Sequence, residues 1–159
     1  MGTNSTGSGT TFPATTTESE IVDLIEVYRQ GFLQLNHGLL LSVWDHSHDP
    51  LIYVAMEKPE PIHGWQAIES YISALPKHLE EMVEKKIDDI RIDPLGDTAM
   101  AFFKFHSTVR LKGCDGLYRP SGRVTMLFRH TPNGWRVIHY HESALAAQAA
   151  DAIAARVAG

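Results

Sequence analysis

The chain has 159 residues, with 14 Lys and Arg against 19 Asp and Glu and a formal charge of -5. That balance argues against a duplex-binding protein, which carries a basic stripe to displace counterions, so no nucleic-acid partner is expected. Hydrophobic residues at 43% and charged residues at 21% mark a folded domain, and the single Cys114 excludes an internal disulfide and an all-cysteine zinc site.

Residues 1–17 are Ser, Thr or Gly at 12 positions, so they are expected to form a disordered tail. Thr17, Glu18, Ser19 and Glu20 read as a capping box. Ile21, Leu24, Ile25, Tyr28, Phe32 and Leu35 then recur every three or four residues, which predicts an amphipathic helix interrupted at Gly38. Leu39, Leu40, Val43 and Trp44 predict a short second helix, and residues 45–50 a loop. Leu51 to Met56 reads as a strand and the proline-rich stretch 57–61 as a loop. A third helix follows Gly64, with Trp65, Ile68, Tyr71, Ile72 and Leu75 on one face and Pro76 ending it.

The remainder predicts a meander: strands over 83–93, 98–112, 117–130 and 135–143, with Pro120 and Gly122 marking a bulge or an edge. An alanine-rich helix is expected over 144–157. Helices first and long strands afterwards make an α+β pattern with an antiparallel sheet. The expected organisation is a tail over 1–17, a domain over 18–143 and a C-terminal helix over 144–159. No apolar run approaches the roughly 20 residues of a membrane span, and no leader core opens the chain. A cytoplasmic protein without a membrane partner is the expectation.

This order resembles the nuclear transport factor 2-like superfamily, in particular the SnoaL-like proteins and the calmodulin-dependent kinase II association domain. The strand pair from Gly122 to Ser143, with its Gly134-Trp135 turn and its His139-x-His141-x-Ser143 ending, carries the resemblance, together with Gly64-x-x-x-Ile68 opening the third helix. The resemblance implies a cone: a strongly bent antiparallel sheet wrapped around three N-terminal helices, enclosing an apolar pocket, in a cystatin-like roll that pairs as a homodimer. It turns Ile138, Tyr140 and Glu142 inward, with Phe103, Phe105, Met126, Phe128 and His130. Tyr28, Trp44, Tyr53, Trp65 and Tyr71 complete the wall.

Ketosteroid isomerase, an enzyme of this superfamily, places a Tyr on the first helix, a carboxylate base after the first strand and a second Asp on the third strand. Tyr28 matches the first, and Glu57 lies within one or two residues of the second. The third falls near Met126, which cannot donate a proton, so steroid isomerisation is not expected. The pocket arginines of the association domain fall on Phe105, Met126 and Glu142, which leaves an apolar pocket holding a carboxylate. Glu142, Tyr140, Tyr28 and Glu57 are therefore the candidate catalytic residues.

His139 and His141 share one strand face, with His106 on a neighbouring strand. Three such rings could hold zinc, but the resemblance places that face outside the pocket, where they would pack in a dimer interface. No metal or other cofactor is expected. The function implied is a SnoaL-like pocket protein with acid/base chemistry of the isomerase, cyclase, dehydratase or hydrolase type on an apolar small molecule. The alternative is a non-catalytic binding or homo-oligomerisation module.

Overall fold

The computed structural model describes residues 16–145. Helix α1 (Thr16–Leu33) buries Ile21, Ile25 and Tyr28, spaced so that one stripe meets the core. The chain then breaks where Leu35 takes φ 48 and Asn36 caps α2 (His37–Ser42), its side-chain oxygen accepting from the Leu39 N–H at 3.2 Å. The break therefore falls ahead of Gly38, which lies inside α2.

Strand β1 (Ile52–Val54) pairs with a strand that the sequence reading missed, β2 (Ile62–His63). Two residues after a double proline are too few to show a period. Helix α3 (Trp65–Ser73) stops before Pro76, which instead occupies the first turn of α4 (Leu75–His78). Four long strands follow: β3 (Leu79–Leu95), β4 (Thr98–Leu111), β5 (Ser121–Thr131) and β6 (Gly134–Ala144). Residues 117–120, expected to open the third long strand, meet β4 through a bridge from Tyr118 to Val109 and a Pro120 carbonyl that accepts the Ser107 N–H at 2.9 Å. Ala144, expected to begin a helix, ends β6. Of the tail expected over 1–17, Thr16 and Thr17 instead open α1, and the other residues, like those beyond 145 of the helix expected over 144–157, lie outside the described residues.

The six strands form one sheet in the order β2-β1-β6-β5-β4-β3. Neighbours are antiparallel except β1 and β6, which run parallel, so the sheet is mixed rather than purely antiparallel. Helix α1 packs on both β3, at the sheet's edge, and β6, which only a curled sheet allows. The fold is the expected α+β roll, with its core between the concave face and the helices.

Extra residues interrupt the pairing of the long strands. In β3 the register slips between Met82 and Glu84, leaving Val83 unpaired and exposed. In β6 it slips at Ile138, since Val137 faces Phe128 while His139 faces Leu127. Each extra residue reverses the alternation of side chains. Val137, expected outside, is buried beside Trp135, and Ile138, expected in the pocket, is the unpaired residue and only partly buried. Beyond the slip Tyr140 returns to the core face.

Gly122 lies opposite Phe105 on a strand interior to the sheet, so it marks close packing rather than an edge. A Cβ there would sit 2.7 Å from the Phe105 ring and 2.7 Å from the Ser143 carbonyl oxygen. The carbonyl belongs to the strand pairing and cannot yield. Gly122→Ala is expected to lower stability by about 1–3 kcal/mol through overpacking, read from the midpoint of urea denaturation with an unchanged slope.

Candidate functional site

A cavity of about 740 Å³ opens between the concave sheet face, α3, α4 and the loop after β1. Its walls are mostly apolar, with Tyr53, Tyr71, Met82, Phe105 and Val109 among them. Five ionisable groups line it besides the tyrosines: Glu57, Lys58, Lys85, Glu142 and, at the α4 side, His78.

Glu142 is held from two directions. Its Oε1 accepts the Met56 N–H at 3.1 Å, and its Oε2 accepts the Tyr140 hydroxyl at 2.7 Å. Tyr140 spends its only proton on that bond, so Tyr28 donates to the Tyr140 oxygen at 2.7 Å. The result is a chain from α1 across β6 to the cavity wall. Burial pushes the Glu142 carboxyl above its usual value. The Tyr140 and Met56 bonds and the charge of Lys85 oppose that rise, and nearby Glu57 adds to it. Burial also pushes the hydroxyls of Tyr28, Tyr53 and Tyr140 well above the usual tyrosine value, so they act as hydrogen-bond donors and not as bases. Tyr53 stacks on Tyr140, ring centres 4.4 Å apart, and so covers the relay from the cavity side.

At the mouth, exposed Glu57 accepts the Tyr71 hydroxyl, and Lys58 sits over the Tyr71 ring. The structure therefore brings Glu142, Tyr53, Tyr71, Glu57 and Phe105 to one cavity. Tyr28, Trp44, Met126 and Tyr140 lie behind it, around a void of about 10 Å³ that has room for about one water. Phe103 and Phe128 are fully buried in the core and line neither space. Trp65 stacks on His46 at 3.7 Å and covers the 45–50 loop. That loop is pinned by buried Asp45, which accepts from Ser47 and from Arg129 at 2.7 Å. His130, expected on the wall, is exposed, because it lies at the turn end of β5 and packs its ring edgewise on Trp135.

His139 and His141 share the convex face as expected, rings 6.4 Å apart, while His106 bonds Ser121 and approaches Asp88. Among the described residues no three His, Cys, Asp or Glu are grouped to hold a metal.

The residues missed by the sequence reading are Lys85 and Ser107. They are cross-strand partners, 6% and 5% exposed, and both line the cavity. Ser107 continues the inward alternation of Phe103 and Phe105, so its position was readable. Lys85 was not, because only the slip at Val83 turns it inward. Its Nζ rests over the rings of Phe105 at 3.9 Å and Phe32 at 4.7 Å, with no ion pair within 4.0 Å among the described residues.

A family model described as a SnoaL-like domain matches residues 22–147. The chain belongs to that family. No curated protein matches it. Among solved structures, a nuclear transport factor 2-like superfamily protein from Salmonella enterica serovar Typhimurium superposes with a TM-score of 0.74 at 23% identity, over 82% of this chain and 92% of that one. A provisionally named dehydratase of the same family from Streptomyces avermitilis gives 0.72 at 17%, over 82% and 97%. A provisionally named scytalone dehydratase from Novosphingobium aromaticivorans gives 0.72 at 9%, over 80% and 83%. At these identities the likeness establishes the fold alone. No helix among the described residues is long and apolar enough to cross a membrane.

Burial lowers the Lys85 ammonium from 10.5 to about 8, with the negative charge of Glu142 holding it up. The Arg29 guanidinium, which donates to the Lys85 carbonyl oxygen, is the other charged group against this stretch. A shift of that size disfavours the charged form by on the order of 3 kcal/mol. Between pH 8 and 10.5 the unfolded chain holds a proton that the folded one has released, so stability rises with pH through that window. Lys85→Met keeps the packing on Phe32 and Phe105 and removes the charge. It is expected to be about 1–3 kcal/mol more stable than the parent at pH 7, with the difference narrowing by pH 10, measured by urea denaturation at both.

Proposed function

We propose that this SnoaL-like chain is a small-molecule enzyme that transfers a proton to or from an apolar substrate, with Glu142 as its acid/base group. The observation that carries the reading is a carboxylate fixed by two hydrogen bonds on the wall of a cavity of about 740 Å³, its proton affinity raised by burial. A base of ordinary carboxylate strength would give up its proton too readily to work near neutral pH, and desolvation moves it toward the useful range. Tyr140 and Tyr28 orient Glu142 and do not reach the cavity themselves. They are positioning residues, whereas Glu57 and Tyr71 sit where a substrate enters. The dehydratase names carried by two proteins of the same fold agree with this class of chemistry.

The test is exchange of α-protons of 2-tetralone in D2O, followed by proton NMR. The parent protein is expected to accelerate exchange over buffer, and Glu142→Gln to cut that acceleration by roughly 10²–10⁴-fold with its melting temperature retained. Tyr28→Phe removes a donor two bonds away and is expected to have the smaller effect. Exchange at the buffer rate, or unchanged in Glu142→Gln, would defeat the reading and leave a non-catalytic binding module.

We also propose that the protein works as a homodimer paired through the convex sheet face. His139 and His141 stand there beside half-buried Phe102 and Leu127, with Met100 exposed. Light scattering at micromolar concentration is expected to give twice the 17.7 kDa chain mass, and a monomer would refute it.

A further inference from the structure

Two buried polar groups of the cavity have neither a hydrogen bond nor an ion pair from the described residues, and they are neighbours. Ser107 Oγ is the one buried side-chain polar atom among the described residues with no hydrogen-bond partner. Lys85, its cross-strand partner, places a cation over two aromatic rings and pairs with no carboxylate within 4.0 Å. Directly opposed residues on one sheet face hold their Cβ atoms roughly 4.5–5.5 Å apart, so the two side chains are neighbours on the cavity wall, and a turn about the Ser107 χ1 brings its buried hydroxyl toward a group held by the Lys85 ammonium. Glu142 does not need Lys85, because both of its oxygens already accept bonds from Met56 and Tyr140.

A buried hydroxyl and a buried ammonium each lose hydration that no hydrogen bond from the described residues replaces. Side by side on the wall of an apolar cavity, they match a group with two adjacent acceptor oxygens and a negative charge. We propose that Lys85 and Ser107 form a carboxylate-binding subsite, and that the ligand of this cavity is a small aromatic or alicyclic carboxylic acid. One carboxylate oxygen accepts from Lys85 Nζ and the other from Ser107 Oγ, while the ring system lies against Phe105, Met82 and Tyr53. The inference rests on the reading of the cavity as a ligand site, and it adds the ligand's polar end to that reading.

The probes are 2-naphthoate and its neutral isostere 2-naphthamide, titrated calorimetrically into the full chain at pH 7. The parent is expected to prefer the acid by at least about tenfold, the scale of one charge-assisted bond made out of water. Lys85→Met is expected to bring the two affinities within about twofold while amide binding persists, and Ser107→Ala to weaken only the acid, by roughly three- to tenfold. Lys85→Gln, which keeps a donor without the charge, is expected to fall between parent and Lys85→Met and supplies the comparison if the methionine variant does not fold. Equal affinities in the parent, or a preference that survives in both Lys85 variants, would overturn the subsite while leaving the cavity a ligand site. Binding of neither probe would overturn both. Proton exchange lost in Glu142→Gln alongside intact acid preference would separate the catalytic reading from this one.

Discussion

A strand can bend sharply by taking an extra residue, and each extra residue reverses which side chains face the concave side. In this chain the cavity depends on two such slips. Without the one at Val83, alternation from Met82 would turn Glu84 and Lys86 inward and leave Lys85 in solvent. Without the one at Ile138, the run that buries Trp135 and Val137 would carry His139 and His141 inside and put Tyr140 and Glu142 on the convex face. The sheet's curl and the chemistry of its concave face are thus one constraint, because the distortions that close the sheet around α1 also select the ionisable groups it encloses.

Those groups are stabilised by different means. Glu142 is compensated by hydrogen bonds, one from backbone and one from a tyrosine that a second tyrosine supports. Lys85 is compensated by aromatic faces and by the field of Glu142, which is weaker support, and its ammonium accordingly loses affinity for its proton. A direct ion pair would satisfy both charges and leave the cavity with nothing to offer a ligand. Anchoring Glu142 elsewhere keeps the two apart, so that one wall holds a proton acceptor and another holds donors.

The order of elements was legible because each rests on local signals: the three-to-four spacing through Tyr28, the prolines after Met56, and the turn at Asn133-Gly134. So was the core, since Phe103, Phe105, Met126 and Phe128 alternate without interruption. What was not legible depended on pairing. A slip leaves no mark in a single strand's composition: Val83 is a strand former, and Ile138 looks like a core residue. In β6 strict alternation puts Val137 and Ile138 on the wrong faces, and only the family resemblance turns Tyr140 and Glu142 inward. The aromatics expected to wall the pocket divided for a related reason. Composition cannot tell a ring that packs against helices, such as Trp44, from one that faces the opening, such as Tyr71.

Unsatisfied buried groups distinguish a cavity made for a ligand from one left over by packing. Away from the cavity, no buried side-chain polar atom among the described residues is left unpaired. Asp45 is more deeply buried than most carboxylates, yet it accepts from a backbone N–H, a hydroxyl and a guanidinium, and its carboxyl is held below the usual value. The same chain leaves Ser107 Oγ unpaired and Lys85 without a counter-ion on the cavity wall. An assembly module would gain stability by an apolar residue at either position and would lose nothing by closing the space. Local rules of polar satisfaction that hold elsewhere among the described residues and fail together at one cavity are what the proposed ligand site requires.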